Sequence, residues 1–89
     1  MIISLDYDST YTEDPEMWDE FIANAKKRGH KVVCVTARRE TEENIEQCSI
    51  PGVLTYFTAL ASKIGFMEKR GIKVDVWIDD NPRVVVEGF

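Results

Sequence analysis

Four short runs of strand-forming residues punctuate this chain, and each stops at a polar group. Met1 to Leu5, apolar apart from Ser4, stops at Asp6, and Val32 to Val35 stops at Thr36. Val53 to Thr58 is rich in β-branched and aromatic residues, and Val74 to Ile78 stops at Asp79 and Asp80. Apolar runs without a polar alternation belong to strands buried on both faces, the situation of a parallel sheet between layers of helices. The intervening segments supply the helices. Asp14 can cap one whose first turn holds Pro15 and whose Met17, Trp18, Phe21, Ile22 and Ala25 share a face; Lys26, Lys27 and Arg28 suit its C-terminal dipole and Gly29 stops it. Arg39 to Gln47 is a polar helical candidate with Ile45 as its only large apolar residue, broken by Ser49, Pro51 and Gly52. Ser62 can cap a third helix that runs to Arg70 and closes at Gly71. Val84 to Val86 has the composition of a fifth strand. Strands alternating with helical segments predict βαβ units and an α/β domain with a small, mainly parallel sheet.

At 89 residues the chain is sized for a single domain, residues 1–89, with a thin core. Its 44% hydrophobic and 30% charged residues are those of a folded globular protein. A net charge of −5 disfavours nucleic acid as a partner, since phosphate backbones call for basic patches. Cys34 and Cys48 have neither disulfide-scaffold density nor zinc-ligand spacing, and read as reduced, structural thiols. No apolar stretch approaches the length of about 18 residues that spans a bilayer, and no basic segment precedes the first apolar run, so a cytoplasmic protein without membrane partners is expected.

Right-handed crossovers place the carboxyl ends of all parallel strands on one edge of the sheet, where ligands bind near a switch in strand order. Strand one brings Asp6 and Asp8 to that edge, strand two brings Thr36, Lys63 follows strand three, and strand four brings Asp79 and Asp80. Four acids crowded together repel one another unless a cation sits among them. Mg2+ suits such a site, because it takes oxygen ligands, keeps several waters and binds through one or two carboxylates together with a substrate phosphate.

The succession Asp6-Tyr7-Asp8-Ser9-Thr10, Thr36, Lys63 and Asp79-Asp80 resembles the four-motif signature of the haloacid dehalogenase superfamily, over nearly the whole chain. The resemblance implies a three-layer Rossmann-like fold with strand order 3-2-1-4, a fifth strand beyond, and no cap domain. It implies a magnesium-dependent phosphatase in which Asp6 attacks phosphorus and forms an aspartyl-phosphate. Asp8 would protonate the leaving oxygen and later activate water. Asp6, the backbone carbonyl of Asp8, and Asp79 or Asp80 would hold the metal, while Lys63 and Thr36 would bind phosphate oxygens. Dehalogenases of the family lack the second acid, since a departing halide needs no proton, so Asp8 points to a phosphoester, small or macromolecular. The departures are Ser9 where the family has Gly, no Pro after Lys63, and no further acid within six residues of Asp80. They motivate an alternative, a weakly active or inactive module that retains metal, phosphate or protein binding. A receiver-type phosphoacceptor has the opposite order of motifs, with the phosphoacceptor on strand three, where this chain has Thr58.

With no helix expected after strand four, one sheet face would lie open and favour self-association. Arg38 lies on the active edge but outside the assigned set. His30 and Cys34 read as structural residues, and Trp18 and Trp77 as core.

Overall fold

The computed structural model describes residues 1–89. Four strands, β1 (Ile2–Leu5), β2 (Lys31–Thr36), β3 (Leu54–Phe57) and β4 (Val76–Ile78), form one all-parallel sheet in the order β3-β2-β1-β4. The chain winds outward from β1 through β2 to β3 and then returns to lay β4 on the other side of β1. The order therefore reverses beside β1, which puts the C-terminal ends of β1 and β4 next to each other.

Alternation of side chains along the strands divides the core into two layers. Ile3, Leu5, Val32 and Cys34 face α1 (Pro15–Lys27), whose Ile22 and Ala25 are buried among them, with Ile50 closing the cluster. Val33 and Val35 face the opposite way, toward Met67 of α3 (Lys63–Lys69) and half-buried Trp77. The sheet is thus covered on both faces.

Local signals explain where the helices begin and end. The Asp14 carboxylate accepts from the Met17 amide, Pro15 fills the first turn of α1, and Gly29 ends the helix at φ 86°, a left-handed geometry that lets the His30 amide donate back to the Ala25 carbonyl. Trp18 and Phe21 of the apolar stripe are half-buried, while Met17 is exposed. Helix α2 is shorter than the polar run that suggested it, Glu42–Gln47, because Thr41 caps it by accepting from the Asn44 amide. It buries no residue. Ser62 caps α3 through the Gly65 amide.

The C-terminal segment corrects two expectations. Val84–Val86 is not a fifth strand, and β4 is followed by a helix, α4 (Pro82–Glu87). Only Asp79, Asp80 and Asn81 separate β4 from α4, whereas a parallel neighbour needs a crossover of about a dozen residues. Pro82 favours a helix start because its missing amide would be unpaired there. Burial of Val84 and Val85, with α4 packed against α3, then outweighs the strand preference of a β-branched run. With α4 packed on α3 and α3 on the sheet, the premise of an uncovered face, no helix after strand four, does not hold.

Only 20 of the 89 residues are buried, so single core side chains carry a large share of the stability. Leu5, fully buried on the central strand, is the sharpest case: Leu5→Ala is expected to lower the unfolding free energy in urea by about 2–5 kcal/mol, out of a total of about 5–15 kcal/mol typical of a domain. A loss below about 1 kcal/mol would show that Leu5 is not packed as described.

Candidate functional site

Asp6 is the first residue past β1, and its amide still donates to the Ile78 carbonyl of β4 at 2.9 Å. That bond fixes it beside Asp79, the first residue past β4. The chain then turns sharply through Tyr7–Thr10, with Ser9 at φ 63°, where its amide donates to Thr12 Oγ1. Ser9 occupies a left-handed conformation that glycine adopts without a steric penalty. The turn brings Thr10 back beneath Asp6, and its buried hydroxyl lies 3.3 Å from both Asp6 Oδ2 and Asp80 Oδ1.

One carboxylate oxygen from each of Asp6, Asp79 and Asp80 lies within 4.8 Å of the others, an arrangement that can hold a metal ion. The donor set fits a hard divalent cation, being made of oxygen alone and graded from a buried Asp6 to an exposed Asp80. Lys63, at the start of α3, is 2% exposed and reaches into the cluster. Its ammonium donates to Asp6 Oδ1 at 2.9 Å and to Asp79 Oδ2 at 2.6 Å. The second oxygen of Asp79 accepts from the Asn81 amide.

The cluster of three carboxylates holds one ammonium, which touches two of them. Burial pushes the Asp6 carboxyl up to about 6, and neighbouring Asp79 and Asp80 add to the rise while Lys63 opposes it. Burial disfavours the Lys63 charge, yet its hydrogen bonds to Asp6 and Asp79 outweigh this and hold the ammonium more firmly protonated than a free lysine. Burial thus dominates at Asp6, and pairing with carboxylates dominates at Lys63.

Asp8 stands apart from this cluster. Its carboxylate is gripped by both arms of Arg38, Nε donating to Oδ2 at 2.8 Å and Nη2 to Oδ1 at 2.7 Å. These hydrogen bonds hold the Asp8 carboxyl below the ordinary range and raise the Arg38 guanidinium. Arg38 is held in turn by α2, its Nη1 donating to Asn44 Oδ1 at 3.1 Å and to Gln47 Oε1 at 2.6 Å. Thr36 ends β2 fully buried, its hydroxyl 3.4 Å from the Arg38 amide.

The structure brings all the residues singled out from the sequence to one place: Asp6, Asp8, Thr36, Lys63, Asp79 and Asp80 line a single cavity of about 220 Å3. Pockets for whole drug-sized molecules usually measure about 300–1,000 Å3, so this cavity is a small one. The reading of residues along the chain missed the tie of Thr10 to two acids and the pairing of Arg38 with Asp8. Thr10 lies within the motif that was recognised, whereas nothing in the spacing announces an ion pair across 30 positions. Cys34 is buried, and burial pushes its thiol up to about 12, consistent with a structural side chain. His30 lies in the turn before β2, where its Nδ1 is 2.9 Å from the Met1 amine. No helix is long and apolar enough to cross a membrane. Comparison with models of protein families, with curated proteins and with solved structures found no match.

Two outcomes follow from this geometry. A carboxyl whose folded pKa lies above its unfolded value near 3.8 binds more protons in the folded state, so its contribution to stability is lost as pH rises through about 6. In metal-free buffer, wild type should therefore lose about 2 kcal/mol relative to Asp6→Asn between about pH 4 and about pH 7, and an added divalent cation should restore much of it. Urea unfolding of both proteins with and without chelator measures this, and a pH-independent difference would contradict it. Separately, Ser9→Gly should raise the unfolding free energy by about 0.5–1 kcal/mol, relief of left-handed strain being partly offset by the entropy of glycine. A destabilised Ser9→Gly protein would mean that the Ser9 side chain makes a compensating contact.

Proposed function

We propose that this chain is a magnesium-dependent phosphatase of the haloacid dehalogenase type, with a Rossmann-like core and no cap, that works through an aspartyl-phosphate on Asp6. The observation that carries the reading is the meeting of Asp6, Asp79 and Asp80 within 4.8 Å at adjacent strand ends, with the Lys63 ammonium between two of them and Thr36 on the same cavity.

Asp6 is the carboxylate best placed to attack. It is buried at the base of the cavity, fixed through its backbone to β4, and oriented by Lys63 on one oxygen and Thr10 beside the other. An Asp6 oxygen forms the new bond to phosphorus as the bond to the leaving oxygen breaks, which divides one hard displacement into two easier ones. Lys63 and Thr36 bind the oxygens of the transferred group and offset its charge. Asp8, protonated at the start of the cycle against the downward pull of Arg38 on its carboxyl, gives that proton to the departing oxygen and recovers one from the water that cleaves the aspartyl-phosphate. Asp6, Asp79, Asp80 and the backbone carbonyl of Asp8 are the groups that would hold Mg2+, which when bound neutralises the charge of a phosphate approaching carboxylates. A cavity of about 220 Å3 has room for a phosphoryl group, whether the rest of the substrate is a small molecule or a macromolecule.

The ion pair of Asp8 with Arg38 favours a second reading, a domain that binds metal and phosphate without turnover because its acid/base is engaged elsewhere. One assay separates the two. Hydrolysis of an aryl phosphate should require Mg2+, vanish with chelator, and fall by roughly 10³-fold or more in Asp6→Asn. Activity that survives Asp6→Asn unchanged removes Asp6 as the nucleophile. Magnesium-dependent stabilisation without hydrolysis of nucleotides, sugar phosphates or phosphopeptides establishes the binding module instead.

A further inference from the structure

We infer that Arg38 is the positioning residue for Asp8, and that helix α2 serves the site by bracing the Arg38 guanidinium. The inference rests on the phosphatase reading above and goes beyond it, since it gives a reaction role to a segment with no residue in the motifs.

Asp8 sits in a turn that follows β1, and both hydrogen bonds of its carboxylate come from Arg38. The direction of that carboxylate is therefore set by Arg38. A surface ion pair ordinarily does little, because two long side chains must be held still for it. Here the holding is done by other groups. Arg38 Nη1 is anchored by Asn44 and Gln47 on successive turns of α2. Asn44 is itself fixed, its Nδ2 donating to the Arg39 carbonyl at 2.9 Å and its amide to the Thr41 cap. Tyr7, the residue between the two motif acids, closes the frame: its hydroxyl donates to the Gln47 carbonyl at 2.8 Å, and the guanidinium carbon lies 5.4 Å from its ring centre. The turn that carries Asp8 is thus tied to α2 both through Arg38 and through Tyr7.

Helix α2 lies in the crossover between β2 and β3, and its own residues add little to the core. It buries no residue, and its one large apolar side chain, Ile45, is 49% exposed. What it does contribute is two side-chain acceptors aimed at one guanidinium. Arginine suits this task where lysine would not, because its planar fork can engage a carboxylate with two donors and still offer a third nitrogen to a brace. Asp8 must stand within hydrogen-bond reach of the leaving oxygen, and a carboxylate free to swing loses rate even with its chemistry intact.

The test compares wild type, Arg38→Gln, Arg38→Lys, Asp8→Asn and the double variant Asp8→Asn/Arg38→Gln, with Mg2+ and two probes, p-nitrophenyl phosphate and glycerol phosphate. Arg38→Gln should lower kcat on glycerol phosphate by about 10–100-fold with KM within about threefold, and lower it less on the nitrophenyl ester, whose leaving group needs little protonation. Arg38→Lys should fall between the two. In the Asp8→Asn background Arg38→Gln should have no further effect, because a residue acting through Asp8 has nothing left to position. Equal losses with and without Asp8, or a change confined to KM, overturn the inference, the latter by showing that Arg38 binds substrate directly. An unchanged kcat in Arg38→Gln overturns it as well. If wild type hydrolyses neither probe, the phosphatase reading fails and this inference fails with it. Should Arg38→Gln not fold, Asn44→Ala, which removes one brace and leaves the ion pair, carries the same comparison against Asp8→Asn.

Discussion

The ammonium of Lys63, buried between Asp6 and Asp79, is the interaction on which the polar edge of this molecule depends. Parallel pairing of β1 with β4 forces two acid-terminated strands side by side, and without a cation between them their carboxylates would repel at close range. Burying such charges is costly in itself. Removing one partner from a buried pair typically costs about 3–5 kcal/mol, while replacing the whole pair with apolar groups is often neutral or stabilising. A domain with so thin a core gains little stability from this arrangement. It keeps charged groups on the lining of one cavity instead.

The remaining acid and the remaining cation form a second, outer layer. Lys63 serves the inner cluster of Asp6, Asp79 and Asp80, and Arg38 serves Asp8. This partition leaves each carboxylate in a different electrostatic setting: Asp6 raised by burial and crowding, Asp8 lowered by a guanidinium. Thr10 belongs to the inner cluster, its hydroxyl lying 3.3 Å from both Asp6 and Asp80.

The sequence by itself determined the alternation of strands and helices, the parallel sheet and the edge on which the polar residues collect. These are local or pattern-borne properties: apolar runs ending at Asp6, Thr36 and Asp79, and caps such as Asp14 and Ser62 that satisfy helix amides from one turn away. The tertiary structure alone decided the fate of Val84–Val86, whose strand preference yielded to burial against α3 after a connection too short for another parallel strand. It alone decided which acids face one another and which acid turns to Arg38, because ion pairs spanning 57 or 30 positions leave no trace in local spacing. Charge type can be read along a chain, but charge partnership is a matter of distance, and distance exists only once the strands have been laid side by side.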